Sequence, residues 1–233
     1  LILSLDPQGF VALRVPYVEL PPGRFSAAAM ESTETLVIDY NSAQRQVSGG
    51  VDRGSRVSES GMIYQMLVRD LNAALLCDDV QSIALDGLTG LANVVLEAVM
   101  HLNKRSKPNS QADYGDAIEK LVEIISVCTA ARSKHFVLVS HIMMEKDELS
   151  GRIKEIPLVY GKQLPNRLLA LFESRFQSAF SGDSYFWITK PTPLMGTIGT
   201  RLQDGLPEKI EQNFGSLFDG NAKPATSGSL IKK

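Results

Sequence analysis

Cysteine is almost missing from this 233-residue chain, which carries only Cys77 and Cys128. Neither belongs to a C-x-x-C pair, and both lie in apolar, helix-like stretches. They read as buried thiols rather than as a disulfide framework. Histidine is as scarce, at three, so no Cys/His cluster supports a zinc site. No apolar run approaches the eighteen or more residues that a membrane span requires. Charge of either sign is not in excess: 24 basic against 26 acidic residues give a net charge of −2 and a pI near 6.0. Such a balance gives no global field toward nucleic acid or an anionic membrane. A basic leader is not visible either, because Leu1-Ile-Leu-Ser-Leu runs directly into Asp6. A chain that opens on Leu is expected to continue upstream.

The phosphate-gripping sequence G-x-x-x-x-G-K-[ST] is also lacking. Gly161-Lys162 is its only partial match, and it fails at both ends: Ile156 stands where the first Gly belongs, and Gln163 replaces the hydroxyl residue. Gly87-x-x-Gly90 follows an apolar run but is not a full G-x-G-x-x-G, which disfavours nicotinamide binding. No G-x-S-x-G supports a hydrolase.

What the chain does contain is an alternation of short apolar runs and amphipathic stretches. Leu1–Leu5, Leu36–Ile38, Ile83–Leu85 and Phe136–Ser140 are nearly continuous in apolar residues, as strands buried on both faces are. Helical stripes connect the later ones: Ile63, Met66, Leu67, Leu71, Ala74 and Leu75; then Leu91, Val94, Val95, Ala98, Val99 and Leu102; then Ile118, Leu121, Val122, Ile125 and Cys128. The pattern predicts an α/β fold with a mostly parallel, helix-flanked sheet. Polar composition predicts loops over Lys104–Asp113 and Met143–Glu155, and a mobile segment over Arg45–Ser60. Phe176–Phe180 and Tyr185–Thr189, separated by Gly182-Asp183, predict a β-hairpin. The expected organisation is one domain over residues 1–220 with a disordered tail over 221–233.

Two strand ends carry chemistry. Asp86 closes an apolar run, where a carboxylate can accept hydrogen bonds from the waters of a Mg²⁺ ion. The ordinary alternative is an Asp that ends a strand and caps the next turn. Ser140 and His141 close the next run, and an imidazole there can meet a phosphate or an attacking water. In Asp6-Pro-Gln-Gly9, Gln8 sits two residues past a strand-end Asp; its amide can orient water but cannot take its proton. Lys162, Lys190 and Arg201 are candidates for phosphate contacts, and Tyr185, Phe186 and Trp187 for base stacking. Each has a plainer reading as surface or core.

The collinear set Asp6-Pro-Gln-Gly9, Ser82-Ile-Ala-Leu-Asp86-Gly87-Leu-Thr89, Asp113-Tyr-Gly115, Val137-Leu-Val-Ser-His141, Pro157-Leu-Val-Tyr-Gly161-Lys162 and Gly199-Thr-Arg201 resembles the phage-type RecA-like AAA ATPases of the single-strand annealing and recombination group. The resemblance implies a RecA-like core that binds ATP and Mg²⁺. Asp86 would stand as the metal-directing carboxylate, Ser140 and His141 as the sensor segment, and Arg201 as a basic residue near the phosphates. It implies single-stranded DNA as a partner, a homo-oligomer, no membrane, and a cytoplasmic location in the host cell or an association with the virion. Gln8 stands where that group usually carries a catalytic Glu, so hydrolysis is expected to be slow or absent. Without a phosphate loop the chain by itself is expected to bind ATP weakly. The rival expectation is a non-enzymatic structural or virion-associated protein on the same scaffold.

Overall fold

The computed structural model describes residues 1–6, 17–30, 35–41, 53–105, 111–146, 151, 153–181, 184–191, 198–200, 206–213 and 217, with backbone alone over 53–58. The chain divides into two compact units, Leu1–His141 with Pro157–Leu168, and Ile142–Ile156 with Leu169–Lys233.

The first unit is built around five strands: β1 (Ile2–Ser4), β2 (Val18–Leu20), β3 (Leu36–Asp39), β4 (Ser82–Asp86) and β5 (His135–Val139). They pair in the order β2-β3-β1-β4-β5, and every pair is parallel. Parallel neighbours require crossovers, and helices supply them: α1 (Ala27–Met30), α2 (Arg53–Leu76), α3 (Leu88–Leu102) and α4 (Ala112–Ala130), with α5 (Leu164–Ala170) following. The fold is therefore mixed α/β with a parallel central sheet flanked by helices. Register sets Leu3 beside Ile38 and Leu85, all fully buried. Opposite each parallel partner the side chains share a face, so these three form the centre of the core.

Most of the apolar stripes predicted for α2, α3 and α4 bury, but Met66 on α2 and Leu102 at the end of α3 are exposed. On α3, Leu91, Val94, Val95 and Val99 are inaccessible; on α4, Leu121, Ile125 and Cys128 are. The β3→β4 and β4→β5 crossovers run in the same direction along the sheet. Right-handed connections put α2, α3 and α4 on one common face.

Two buried carboxylates fix the connections of this unit. Asp70 of α2 accepts hydrogen bonds from Gly23 N (2.6 Å), Phe25 N (3.2 Å) and the Tyr40 hydroxyl (2.5 Å). Burial, reinforced by Asp70, pushes the Tyr40 phenol far up. Asp113 accepts from Asn103 Nδ2 and Arg105 Nη1, both at 2.8 Å. It lies in the first turn of α4, not in a loop as its polar surroundings predict. An acid there complements the positive end of the helix while closing the α3–α4 connection.

The second unit carries β6 (Ile142–Lys146), β7 (Ile153–Pro157), β8 (Ser174–Arg175), β9 (Gln177–Ser181), β10 (Ser184–Ile188), β11 (Gly199–Thr200) and β12 (Lys209–Glu211). The predicted hairpin is β9-β10, extended by β12 into an antiparallel three-stranded sheet. Two aromatic pairs cross it: Phe176 stacks on Trp187 at 5.8 Å between ring centres, and Phe180 tilts against Tyr185 at 4.7 Å. The polar stretch after Met143 is not a loop throughout. Residues 142–146 and 153–157 pair as β6 and β7, strands that leave most side chains in water and so lack the apolar run by which buried strands are read. The mobile segment predicted up to Ser60 is likewise shortened, because α2 begins at Arg53. The hairpin turn at 182–183 and the tail over 221–233 lie outside the described residues.

Candidate functional site

In an open parallel sheet, the C-terminal ends of the strands are where side chains leave the core and meet a ligand. Here that rim collects polar groups from four strands. Ser4 is in register with Asp39 on one side and Asp86 on the other, and Asp86 is in register with Val139. Asp39, Ser4 and Asp86 therefore project from one face at the same level. Asp6 follows β1 immediately, and His141 lies two residues past the end of β5.

Because β4 separates β1 from β5, Asp6 and His141 cannot touch within the sheet. They meet above it. His141 Nε2 lies 2.8 Å from Asp6 Oδ2, with the imidazole 65% exposed and the carboxylate 20% exposed. Their contact bridges the end of the β4 strand, where Asp86 sits. Asp86 is affected by both: its carboxyl is held above the usual carboxylate range first by burial and second by the negative charge of Asp6, while His141 pulls it back down.

Two glycines make this closeness feasible. Gly87 adopts φ +107°, and a β-carbon there would stand 2.8 Å from Asp6 N. Gly90, three residues on, leaves α3 free to press against the Leu5 carbonyl. The Gly87-x-x-Gly90 spacing thus serves the packing of α3 onto the end of β1. Leu5 N donates to Asp86 O at 2.7 Å, which ties the two strand ends together. On the other side, Leu158 N donates to His141 O (2.8 Å), and the Thr89 hydroxyl donates to Leu158 O (2.7 Å). The backbone of His141 is in this way connected to the start of α3.

The residues predicted from sequence are distributed unevenly around this site. Asp86 and His141 are brought together on neighbouring strands. Ser140 is beside them, but its hydroxyl donates to His141 O at 2.7 Å. Gln8 and Arg201 lie outside the described residues. Gly161 sits in a turn before α5 with φ +84° and faces Ile118, a structural position rather than part of a phosphate loop. Sequence reasoning passed over Asp6 and Asp39. Both are acids at the ends of apolar runs, the same signal that singled out Asp86.

The donor set suits a hard cation bound through oxygen or water. Two neighbouring carboxylates, Asp6 and Asp86, repel one another, and a divalent ion relieves that repulsion. Among the described residues, no group of three or more His, Cys, Asp and Glu has the geometry to enclose a metal by protein ligands alone. Nor, among them, is any helix long and apolar enough to cross a membrane. A scan of protein-family models and searches of curated proteins and of solved structures return no match to this chain.

Proposed function

We propose that this chain forms the metal- and water-facing side of an ATP site in a RecA-like, phage-type protein that acts on single-stranded DNA in recombination or annealing. One observation carries the reading: Asp86 and His141 stand at the same rim of a parallel sheet, close enough for His141 to oppose the rise in the proton affinity of the Asp86 carboxyl. Asp86 would hold Mg²⁺ through water, and the ion would neutralise phosphate charge. His141 would face the terminal phosphate. Ser140 and Arg201 complete the nucleotide-binding set that the resemblance implies, and a homo-oligomer follows from the same resemblance. The test is retention of single-stranded DNA by the full-length protein with and without MgATP. Retention that depends on ATP in the wild type and is lost in Asp86→Ala supports the reading. Equal retention in all four conditions removes it.

A second reading is a non-enzymatic structural or virion-associated interaction protein. The β6-β7 pair favours it, because Ile142, Met143, Met144 and Ile153 are exposed there, with Met144 70% accessible. Flexible Met-rich surfaces suit protein partners. This reading expects assembly that is indifferent to nucleotide and is weakened by Met144→Lys.

A further inference from the structure

We infer that Asn41, at the end of β3, is a further binding residue of this rim, and that its side-chain amide donates a hydrogen bond to a sugar hydroxyl of the bound nucleotide. The inference rests on the ATP reading above and deepens it, because it makes the site one for ribonucleotides rather than for any triphosphate.

The observation behind it is a donor without an acceptor. Asn41 is 4% exposed, and its Nδ2 has no hydrogen-bond partner among the described residues. A buried amide left unpaired costs stability, and such a group calls for an acceptor from outside the chain. The strand fixes its place. Asn41 N donates to Asp39 Oδ1 at 2.9 Å, which turns the chain back over the end of β3. Asn41 thus stands at the rim that also carries Ser4 and Asp86. Asp39 is its positioning residue.

Asp39 also decides which acceptor fits. Its carboxylate is 8% exposed and lies against Asn41, so an anionic oxygen is repelled there. A cation is unsuited to Nδ2, which has no lone pair to offer. A hydroxyl meets both demands. It is neutral, it accepts from Nδ2, and it can give its own proton to a carboxylate, whose lone pairs serve several donors. Register then sets the distance. β3 and β4 flank β1, so Asp39 and Asp86 are two strand spacings apart, about 10 Å. With the cation and phosphates at Asp86, the sugar is the next part of the nucleotide along that span, and the base lies beyond it.

The experiment uses the full-length protein with Asn41→Ala and Asn41→Leu. Calorimetry measures binding of the Mg²⁺ complexes of ATP, 2′-deoxy-ATP, 3′-deoxy-ATP and inorganic tripolyphosphate. ¹⁵N NMR follows the side-chain amide of Asn41. Wild type is expected to bind ATP about 5- to 50-fold more tightly than at least one of the deoxy compounds. Both variants lose that preference, while their affinity for tripolyphosphate stays within about threefold of wild type. The Asn41 amide resonance moves with ATP and not with tripolyphosphate. The wild-type ratio and the resonance need no variant, so they decide the matter even if a substitution unfolds the chain. Equal wild-type affinity for ATP and both deoxy compounds overturns the sugar subsite and leaves the ATP reading intact. A preference that persists in both variants overturns the role of Asn41 alone. Wild type that binds none of the three nucleotides overturns the ATP reading and the subsite together.

Discussion

Gly90 meets the Leu5 carbonyl at a range that no side chain can share: a β-carbon would lie 2.4 Å from Leu5 O and 2.9 Å from Leu5 Cβ. This contact is what lowers the start of α3 onto the end of β1, and it places Asp6 beside Asp86. Neither neighbour can yield cheaply, since one is backbone and the other is a core residue with 2% exposure. Gly90→Ala is expected to destabilise the fold by about 1–3 kcal/mol through overpacking. Gly115, within α4, has nothing within 4 Å of its would-be β-carbon. The same substitution there is expected to stabilise by about 0.5–1 kcal/mol, because alanine restricts the unfolded chain and suits a helix. Urea midpoints at constant slope measure both, and a matched sign would refute this account of Gly90.

Asp70 holds three donors at once. Asp70→Ala strands Gly23 N, Phe25 N and the Tyr40 hydroxyl in the interior, and the expected loss is about 3–5 kcal/mol. Tyr40→Phe removes a single donor and should cost about 1–2 kcal/mol. Chemical denaturation of the two variants decides the matter; equal losses would mean that the network is not centred on the carboxylate.

For Asp86 the expected effect depends on pH. Its carboxyl is raised above the ordinary 3.8, chiefly by burial and next by Asp6. The folded state therefore holds this proton more tightly than the unfolded state does. Stability contributed by Asp86 falls as pH rises from that ordinary value through the folded one, and above both the full penalty remains. Asp86→Asn should accordingly melt higher than wild type at neutral pH, with the gap closing below about pH 4. A melting-temperature series over pH 3–8 tests it. A variant less stable than wild type at neutral pH would contradict the sign.

Two ion pairs give a further contrast. Arg105 and Asp113 meet at 2.8 Å with the carboxylate fully inaccessible. Asp113→Ala removes the acceptor for Asn103 as well, with an expected loss of about 1–3 kcal/mol. Glu119 and Arg167 also meet at 2.8 Å, but in solvent, and there Glu119→Ala is expected to leave the melting temperature unchanged. Thermal melts of both variants in low and high salt separate the cases.

Much of the first unit could be read from apolar runs alone. Leu36–Ile38 and Ile83–Leu85 bury because strands within a parallel sheet are covered by their neighbours, and continuous hydrophobicity records that environment directly. The same rule is silent on β6 and β7, where Met144 and Glu145 sit on strands that bury little. It also misplaces Asp113, since a polar letter inside a polar stretch gives no hint that Asn103 and Arg105 will fold back upon it. The site was half legible. Asp86 and His141 follow from strand ends, but their meeting with Asp6 depends on β1 lying next to β4, a neighbour relation that spans some eighty residues and leaves no local trace.

The placement of β1 between β3 and β4 governs the order in which this unit can assemble. Ile2–Ser4 leave the ribosome first among the elements described here, yet both of their partners are made later, the second of them only once Asp86 has been translated. Until then an apolar segment waits without its lateral hydrogen bonds. Closing such long separations is slow, and it exposes a nascent chain to wrong pairings. The β1 segment therefore completes its lateral pairing only when the chain through Asp86 is present.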